Sequence, residues 1–276
     1  GNNCDVLLMS ATPIPRTMMM CLYGDMDITK IADKPDSRKK ILTLSKPEKK
    51  INELWPFLNR QIKKKNQIFW VCPLIEESNF LDYSSAKKKF DLINKKFPND
   101  VGLLHGGLDK SEKDIILKKF LDKKISILVS TTVIEVGIDF PNANLIIIEN
   151  ANKFGLAQLH QLRGRVGRGD TQSSCILMFK STLTENAKKR LNILKNSTDG
   201  FKISEDDMKL RGFGDILGFK QSGIKIFKLA DPIHNSKLFD LAEKEIKQME
   251  ANNMDITKYK TLMKLYDQAD ILNDIV

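Results

Sequence analysis

The stretch Ile-Ser-Ile-Leu-Val-Ser at positions 125–130 and the stretch Leu-Ile-Ile-Ile-Glu at positions 145–149 decide the fold of this chain. Each is a short apolar run that does not alternate with polar residues. Continuous runs of this kind are typical of strands that are buried on both faces, as in parallel sheets. The two stretches therefore predict a parallel sheet with a covering layer on each side.

The same pattern extends in both directions along the chain. Further strands are predicted at 67–73, 101–104 and 174–179, and the connector that ends at 40–44 has strand character. Amphipathic segments between the strands predict helices at 47–64, 84–97, 110–122 and 155–163. This alternation predicts a doubly wound α/β domain. Beyond it, helices are predicted at 184–198, 234–252 and 257–275, and residues 200–224 are rich in glycine and charge.

The composition favours a polyanionic partner such as nucleic acid. The 276 residues carry a net charge of +10, and the pI is about 9.3. A compositional bias towards lysine explains the same excess, so charge alone does not decide the function. No apolar run approaches the length of a membrane span. The four cysteines form no C-x-x-C pair, which argues against a zinc ribbon and favours reduced thiols in the cytoplasm.

The strongest chemical signal is Gln-Leu-Arg-Gly-Arg-Val-Gly-Arg-Gly at positions 161–169. It contains the spacing Q-x-x-G-R-x-G-R, which is rare by chance. Phosphoryl transfer needs cations directed at the charge on the transferred group. Arginine suits this task because its guanidinium is planar, always charged and able to contact two oxygens. Arg165 and Arg168, on a glycine-containing turn, could reach the same polyphosphate.

This segment resembles motif VI of the superfamily 2 helicases. The resemblance implies a RecA-like fold for the α/β domain. It also implies that Arg168 is an arginine finger for ATP, that Arg165 is a second phosphate contact and that Gln161 belongs to the catalytic network.

Residues 130–141 resemble motif V of the same superfamily. Thr131 and Thr132 follow a buried strand, and their hydroxyls and backbone N–H groups suit a DNA phosphate. The resemblance gives Gly137 and Asp139 a nucleotide contact, and it gives Glu135 a coupling role. A simple helix cap is the alternative interpretation of the serine–threonine run.

A glycine turn at His105 and Gly106 resembles motif IVa, which contacts the nucleic-acid backbone. Ser111 is expected to cap the helix that follows. A plain tight turn is the alternative. None of the three histidines has partners at ligand spacing, so no metal site is expected.

Two further motifs place the chain within the superfamily. Ser-Ala-Thr-Pro at positions 10–13 resembles motif III, which implies coupling roles for Thr12 and Arg16. The glycine-rich segment 210–223 resembles the TRG translocation element, which implies coupling roles for Arg211, Gly214 and Gln221. Phe-Lys-Leu-Ala-Asp at positions 227–231 is similar to the RecG family rather than to the repair translocase Mfd.

The resemblance implies the C-terminal motor half of an ATP-dependent double-stranded DNA translocase that remodels stalled replication forks and Holliday junctions. ATP and Mg²⁺ would be the cofactors of the full-length enzyme, and branched DNA would be its partner. The protein would be a monomer in the bacterial cytoplasm. The sequence contains neither G-x-x-x-x-G-K-[ST] nor D-E-x-H. We therefore expect a fragment of a longer protein that is inactive alone, and no cofactor is assigned to the fragment itself.

The expected division is 1–30 for the end of a first RecA-like domain, 31–183 for a second RecA-like domain and 184–276 for the TRG element and helices. Three alternatives remain open. They are a Mfd-like repair translocase, an RNA helicase, which shares motifs V and VI, and a non-enzymatic DNA-binding module.

Overall fold

A computed structural model of the chain describes residues 39–73, 79–131, 140–169, 171–180, 182–211 and 235–254, with the isolated positions 7, 9, 29 and 31. The strands are β1 (Leu42–Pro47), β2 (Gln67–Val71), β3 (Val101–Leu104), β4 (Ile127–Ser130), β5 (Ala143–Ile148) and β6 (Ser174–Phe179). The helices are α1 (Leu54–Lys63), α2 (Asn79–Lys96), α3 (Lys110–Leu121), α4 (Leu156–Arg163), α5 (Glu185–Asn196), α6 (Gly200–Arg211) and α7 (Ser236–Ala251). Short 3₁₀ helices span Glu48–Glu53 and Ala151–Lys153.

The six strands form one sheet in the order β1-β6-β5-β2-β4-β3, and every pairing is parallel. The predicted α/β class is confirmed. The segment that the sequence suggested only as a connector is a full edge strand, because Leu42–Pro47 pairs along its whole length with Ser174–Phe179.

Both faces of the sheet are buried, and successive residues of β2 show why. Ile68 and Trp70 belong to one apolar core, whereas Phe69 and Val71 belong to the other. Since side chains alternate across a strand, a run without polar residues supplies both cores. Helices α1 and α2 cover the Trp70 side, and α3, α4 and α5 cover the Phe69 side.

Aromatic contacts strengthen each core. Phe69, Phe120 and Phe140 form a triad with ring centroids 5.3–5.5 Å apart. On the other face Trp55 stacks on Trp70 at 5.9 Å. Pairs of this kind add about 0.5–1.5 kcal/mol beyond the area that they bury.

Two helical segments differ from the sequence prediction. The helix predicted from residue 47 begins as a 3₁₀ turn, and α1 starts only at Leu54, because the backbone of Lys50 departs from helical angles. Helix α6 was not predicted, because residues 200–224 are rich in glycine and charge and showed no helical pattern. Asp199 Oδ1 initiates α6 by accepting a hydrogen bond from Phe201 N at 2.9 Å. The predicted helix at 257–275 lies outside the described residues.

The chain divides into two compact units, and the described residues 39–207 fall in the first, with 208–211 and 235–254 in the second. Leu191, Leu194 and Ile203 of α5 and α6 pack into the core of the first unit. The boundary expected at 183/184 stays a prediction. Within the described parts of the chain, no helix is long and apolar enough to cross a membrane.

Candidate nucleotide and nucleic-acid sites

Three of the four predicted nucleic-acid residues meet at the carboxyl edge of the sheet. His105 and Gly106 directly follow β3, and Thr131 directly follows the neighbouring strand β4. Thr131 N donates a hydrogen bond to Leu104 O at 3.3 Å, so the two turns are joined at their bases. Positions 105, 106 and 131 are therefore neighbours although they lie far apart in sequence.

The backbone of the glycine turn holds the ring of His105. Gly107 N donates to His105 Nδ1 at 3.2 Å. Partial burial lowers the pKa of His105. Nearby Glu112 raises this pKa to a smaller extent, and Lys113 lowers it slightly. The lowered pKa favours the neutral ring near pH 7. Since Nδ1 accepts, the proton of the neutral ring lies on Nε2, which is the type of donor that a phosphate oxygen needs.

The fold does not require glycine at position 106. A Cβ built there meets no atom within 4 Å, and the backbone does not adopt a positive φ. A glycine that neither packing nor backbone geometry demands can serve close approach by a ligand. This observation favours a backbone contact at the turn.

The expected helix cap is wrong in one respect. Asp109, not Ser111, caps α3. Its Oδ1 accepts from Glu112 N at 2.8 Å, and Glu112 Oε2 accepts from Asp109 N at 3.1 Å. Ser111 lies inside the helix and donates its hydroxyl to Asp109 Oδ1 at 2.8 Å. Because a carboxylate already occupies this helix terminus, a phosphate would bind at the preceding glycine turn instead.

The side chain of Thr131 is buried, with 2% of the residue exposed. Its backbone N–H forms the hydrogen bond to Leu104 that joins the ends of β3 and β4, whereas its hydroxyl is buried. A hydroxyl contact with a DNA phosphate would therefore require this side chain to become exposed. The role of Thr131 stays a prediction.

The motif VI turn lies at the opposite, amino edge of the sheet. Helix α4 runs antiparallel to the strands, so Gly164–Gly169 emerges where β5 begins. Gly167 N donates to Ala143 O at 3.4 Å, and a Cβ on Gly169 would lie 2.6 Å from Pro141 O. Val166 is fully buried beneath the turn. The described members of the two sets, Arg165 and Arg168 on one side and His105, Gly106 and Thr131 on the other, thus lie at opposite edges of one sheet.

Arg165 and Arg168 form a pair of neighbouring cations. Arg165 is half-buried and Arg168 is exposed. Burial lowers the pKa of Arg165, and the positive charge of Arg168 lowers it further. Two like charges held close together repel, and a bound polyanion would relieve that repulsion. Gln161 is exposed on the last turn of α4, on the same side of the sheet edge as this pair.

Gly167 has a left-handed backbone, with φ of 77°, and a Cβ there would lie 3.1 Å from Ile41 Cγ1. We expect Gly167→Ala to lower the free energy of unfolding by about 1–2 kcal/mol, because an L side chain is strained in this region. Gly106→Ala is the matched control and should change it by less than about 0.5 kcal/mol. Urea unfolding of both variants measures the difference, and equal values would show that the turn does not depend on this backbone angle.

Arg163 is a buried cation that sequence reasoning missed. It is 3% exposed, and its guanidinium donates to Leu194 O at 2.6 Å and to Ser197 O at 2.8 Å. It also contacts His160 Nδ1 at 3.0 Å. Both carbonyls lie at the C-terminal end of α5, where the helix dipole favours a positive charge. The helical period of Leu156 and Leu159 places residue 163 on the buried face, and that signal could have identified it.

A second arginine, Arg190, also links α4 and α5, but it lies on α5. Arg190 of α5 donates to Phe154 O at 3.2 Å and to Asn152 O at 3.1 Å, just before α4 begins. Arg163 therefore reaches from α4 to the end of α5, and Arg190 reaches from α5 to the start of α4. Together they fix the motif VI helix against α5.

A buried ion pair lies at the carboxyl edge beside β5. Lys89 Nζ is 2.6 Å from Glu149 Oε1, and both side chains are largely buried. Burial raises the pKa of Glu149, although Lys89 acts in the opposite direction. Lys89 also lies 5.7 Å from the centroid of a Trp70 ring. This pair joins α2 to β5, and sequence reasoning gave no signal for it.

Several predicted residues lie outside the described residues. They are Thr12, Arg16, Thr132, Glu135, Gly137, Asp139, Gly214 and Gln221. Arg211 is the last residue of α6, and its side chain is not described. In the described ranges, no group of three or more His, Cys, Asp or Glu residues could hold a metal ion.

Two known protein families match successive parts of the chain. Residues 49–170 match the helicase conserved C-terminal domain, and residues 197–269 match domain 3, C-terminal, of the ATP-dependent DNA helicase RecG. Over 96% of its length the chain is 43% identical to the ATP-dependent DNA helicase RecG of Thermotoga maritima. The chain belongs to the RecG family.

Other RecG proteins agree with this assignment. The chain is 42% identical to RecG of Bacillus subtilis over 92% of its length. A solved structure of RecG bound to a three-way DNA junction superimposes on 84% of the chain with a TM-score of 0.66 and 44% identity. The chain spans about a third of the curated RecG relatives that it matches, 34% and 37% of the two named here, and 30% of the solved RecG chain.

Proposed function

We propose that this chain is the C-terminal motor part of an ATP-dependent translocase that moves on double-stranded DNA and remodels branched DNA such as stalled forks and Holliday junctions. The observation that carries the proposal is the placement of two candidate phosphate-binding sites on opposite edges of one parallel sheet. Paired arginines lie at the amino edge, and an open glycine turn with a histidine lies at the carboxyl edge.

The amino-edge site suits a nucleoside triphosphate. Arg165 and Arg168 would contact its phosphates, with Arg168 in the position of the arginine finger and Gln161 beside them. Bound ATP with Mg²⁺ supplies the phosphoryl transfer whose free energy drives movement. The buried Val166, the hydrogen bond from Gly167 to β5 and the close approach of Gly169 to Pro141 anchor the backbone of the turn that carries both arginines.

The carboxyl-edge site suits the phosphodiester backbone. His105 Nε2 and the backbone N–H of Gly106 would donate to phosphate oxygens, and such contacts position a protein without reading sequence. The segments proposed to couple the two sites include Glu135, Arg211, Gly214 and Gln221. Their roles rest on the family resemblance.

The sequence contains no phosphate-binding loop of the type G-x-x-x-x-G-K-[ST]. That loop and an acidic Mg²⁺ ligand normally hold the nucleotide from the opposite domain. We therefore expect the isolated 276-residue chain to show no steady-state ATP hydrolysis, with or without DNA.

A substrate comparison with the full-length protein tests the proposed function. ATP hydrolysis is measured without nucleic acid and with equal concentrations of a four-way DNA junction, linear duplex DNA and single-stranded RNA. We expect the junction to stimulate hydrolysis most strongly and RNA to have no effect. Stimulation by RNA alone would support an RNA helicase. A rate independent of every nucleic acid would reject the translocase.

A further inference from the structure

Exposed lysines cluster on one half of the amino edge, where no motif lies. Helices α1, α2 and α3 all end here, just before the neighbouring strands β2, β3 and β4. We call the three segments 63–66, 95–100 and 118–126 the basic edge. Its exposed lysines are Lys63, Lys64, Lys65, Lys95, Lys96, Lys118, Lys119, Lys123 and Lys124.

Few carboxylates offset this charge. The three segments hold nine lysines and two aspartates, which leaves a net charge of +7, whereas the whole chain carries +10. Asp100 is occupied by a hydrogen bond from Ser126 N at 2.7 Å, and Asp122 lies 3.7 Å from Lys124. The three strands are neighbours, so their amino ends lie within about 10 Å of one another in the sheet. The helices of both faces contribute, which makes the surface broad and strongly positive.

The helix dipole explains only part of this arrangement. A lysine in the last turn of a helix is favoured, and this accounts for Lys63, Lys95, Lys96, Lys118 and Lys119. It does not explain Lys65 and Lys123, which follow their helices in left-handed backbone conformations with φ of 59° and 58°. Glycine is the residue that fits such a position without steric cost. At both positions the chain therefore carries a charged side chain where the left-handed backbone favours glycine.

We propose that the basic edge binds the phosphate backbone of a DNA duplex, at a site separate from both the motif VI turn and the glycine turn. This inference rests on the proposed function, because it assigns the surface to an arm of the branched DNA on which the motor acts. The glycine turn lies at the opposite edge of the sheet. Because the two surfaces lie at opposite edges, we assign the basic edge to a different arm from the arm at the glycine turn.

Neutralising the basic edge in the full-length protein tests the proposal. The variant combines Lys64→Gln, Lys95→Gln, Lys119→Gln and Lys123→Gln. The control removes the same charge from exposed lysines elsewhere, with Lys49→Gln, Lys88→Gln, Lys188→Gln and Lys189→Gln. Affinity for a three-arm DNA and for a linear duplex is measured by fluorescence anisotropy as a function of salt concentration.

We expect the edge variant to bind the three-arm DNA on the order of tenfold more weakly at low salt, with a salt slope smaller by about 0.9 for each phosphate that the variant no longer neutralises. Affinity for the linear duplex should fall less than threefold. Equal decreases in the edge variant and the control would overturn the proposal, since net charge would then be the cause. Unchanged affinity of the edge variant for the three-arm DNA would also overturn it.

A second variant separates binding from folding. Lys65→Gly with Lys123→Gly removes two charges and introduces the residue that the left-handed backbone favours. We expect an unchanged or higher Tm together with weaker binding of three-arm DNA. Unchanged binding would assign the two lysines to the helix ends alone and reject their part in the site. Failure of the proposed function is seen separately, as wild-type ATP hydrolysis that no DNA stimulates.

Discussion

Arg168→Ala in the full-length protein is expected to lower DNA-stimulated ATP hydrolysis by about 10³-fold or more, because an arginine finger contributes about 10³–10⁵ to the rate of phosphoryl transfer. The side chain is exposed on a turn that Val166 and Gly167 anchor, so its removal should leave the fold intact. Steady-state hydrolysis with a saturating four-way junction measures the effect.

Arg168→Lys is the informative companion. Lysine keeps the charge but not the two-pronged geometry of the guanidinium, so we expect it to recover only a small part of the rate. Lys180→Ala, on the exposed segment after β6, serves as the control for removal of a surface cation. Near wild-type hydrolysis by Arg168→Ala would remove Arg168 from the catalytic site and reject its role as the arginine finger.

Arg163→Met is expected to lower the free energy of unfolding of the α/β unit by about 2–4 kcal/mol. The substitution leaves the carbonyls of Leu194 and Ser197 without their buried donor, and each unsatisfied carbonyl costs about 1–3 kcal/mol. The relief of burying a cation offsets part of this cost. Urea unfolding followed by tryptophan fluorescence is well suited, because Trp55 and Trp70 are the two tryptophans of the chain and both lie in this unit.

Arg60→Met provides the matched comparison, since Arg60 is exposed on α1. It should change the free energy of unfolding by less than about 0.5 kcal/mol. If Arg163→Met has an equally small effect, the hydrogen bonds to the end of α5 contribute little, and the attachment of α4 to α5 must depend on apolar packing.

The central architecture could be predicted because buried parallel strands leave a direct signal. Positions 145–148 are all buried, and the same stretch reads as a continuous apolar run in the sequence. The edge strand β1 was harder to identify. Leu42 and Leu44 are exposed and only Thr43 is buried, so its pattern resembles a connector. A strand that pairs on one side only has less need of an apolar sequence.

The candidate sites divide in the same way. Arg165, Arg168 and Gly106 could be proposed as candidates because their spacing resembles recognisable motifs. Lys89 and Glu149 could not, since their pairing at 2.6 Å depends on how α2 packs against the end of β5. The cap of α3 shows a similar limit, because Asp109 and Ser111 are both good capping residues and only the backbone decides between them.

The placement of the two candidate phosphate-binding sites at opposite edges of the sheet has a mechanical consequence. Strands of four to six residues separate the edges by about 13–20 Å, at about 3.3 Å for each residue. If the amino edge acts as the pivot, a rotation of about 10° displaces the glycine turn by about 3 Å. That distance is close to the rise of about 3.4 Å between successive base pairs. The sheet would then work as a lever arm, in which a small closing angle at the nucleotide becomes a step of one base pair along the duplex.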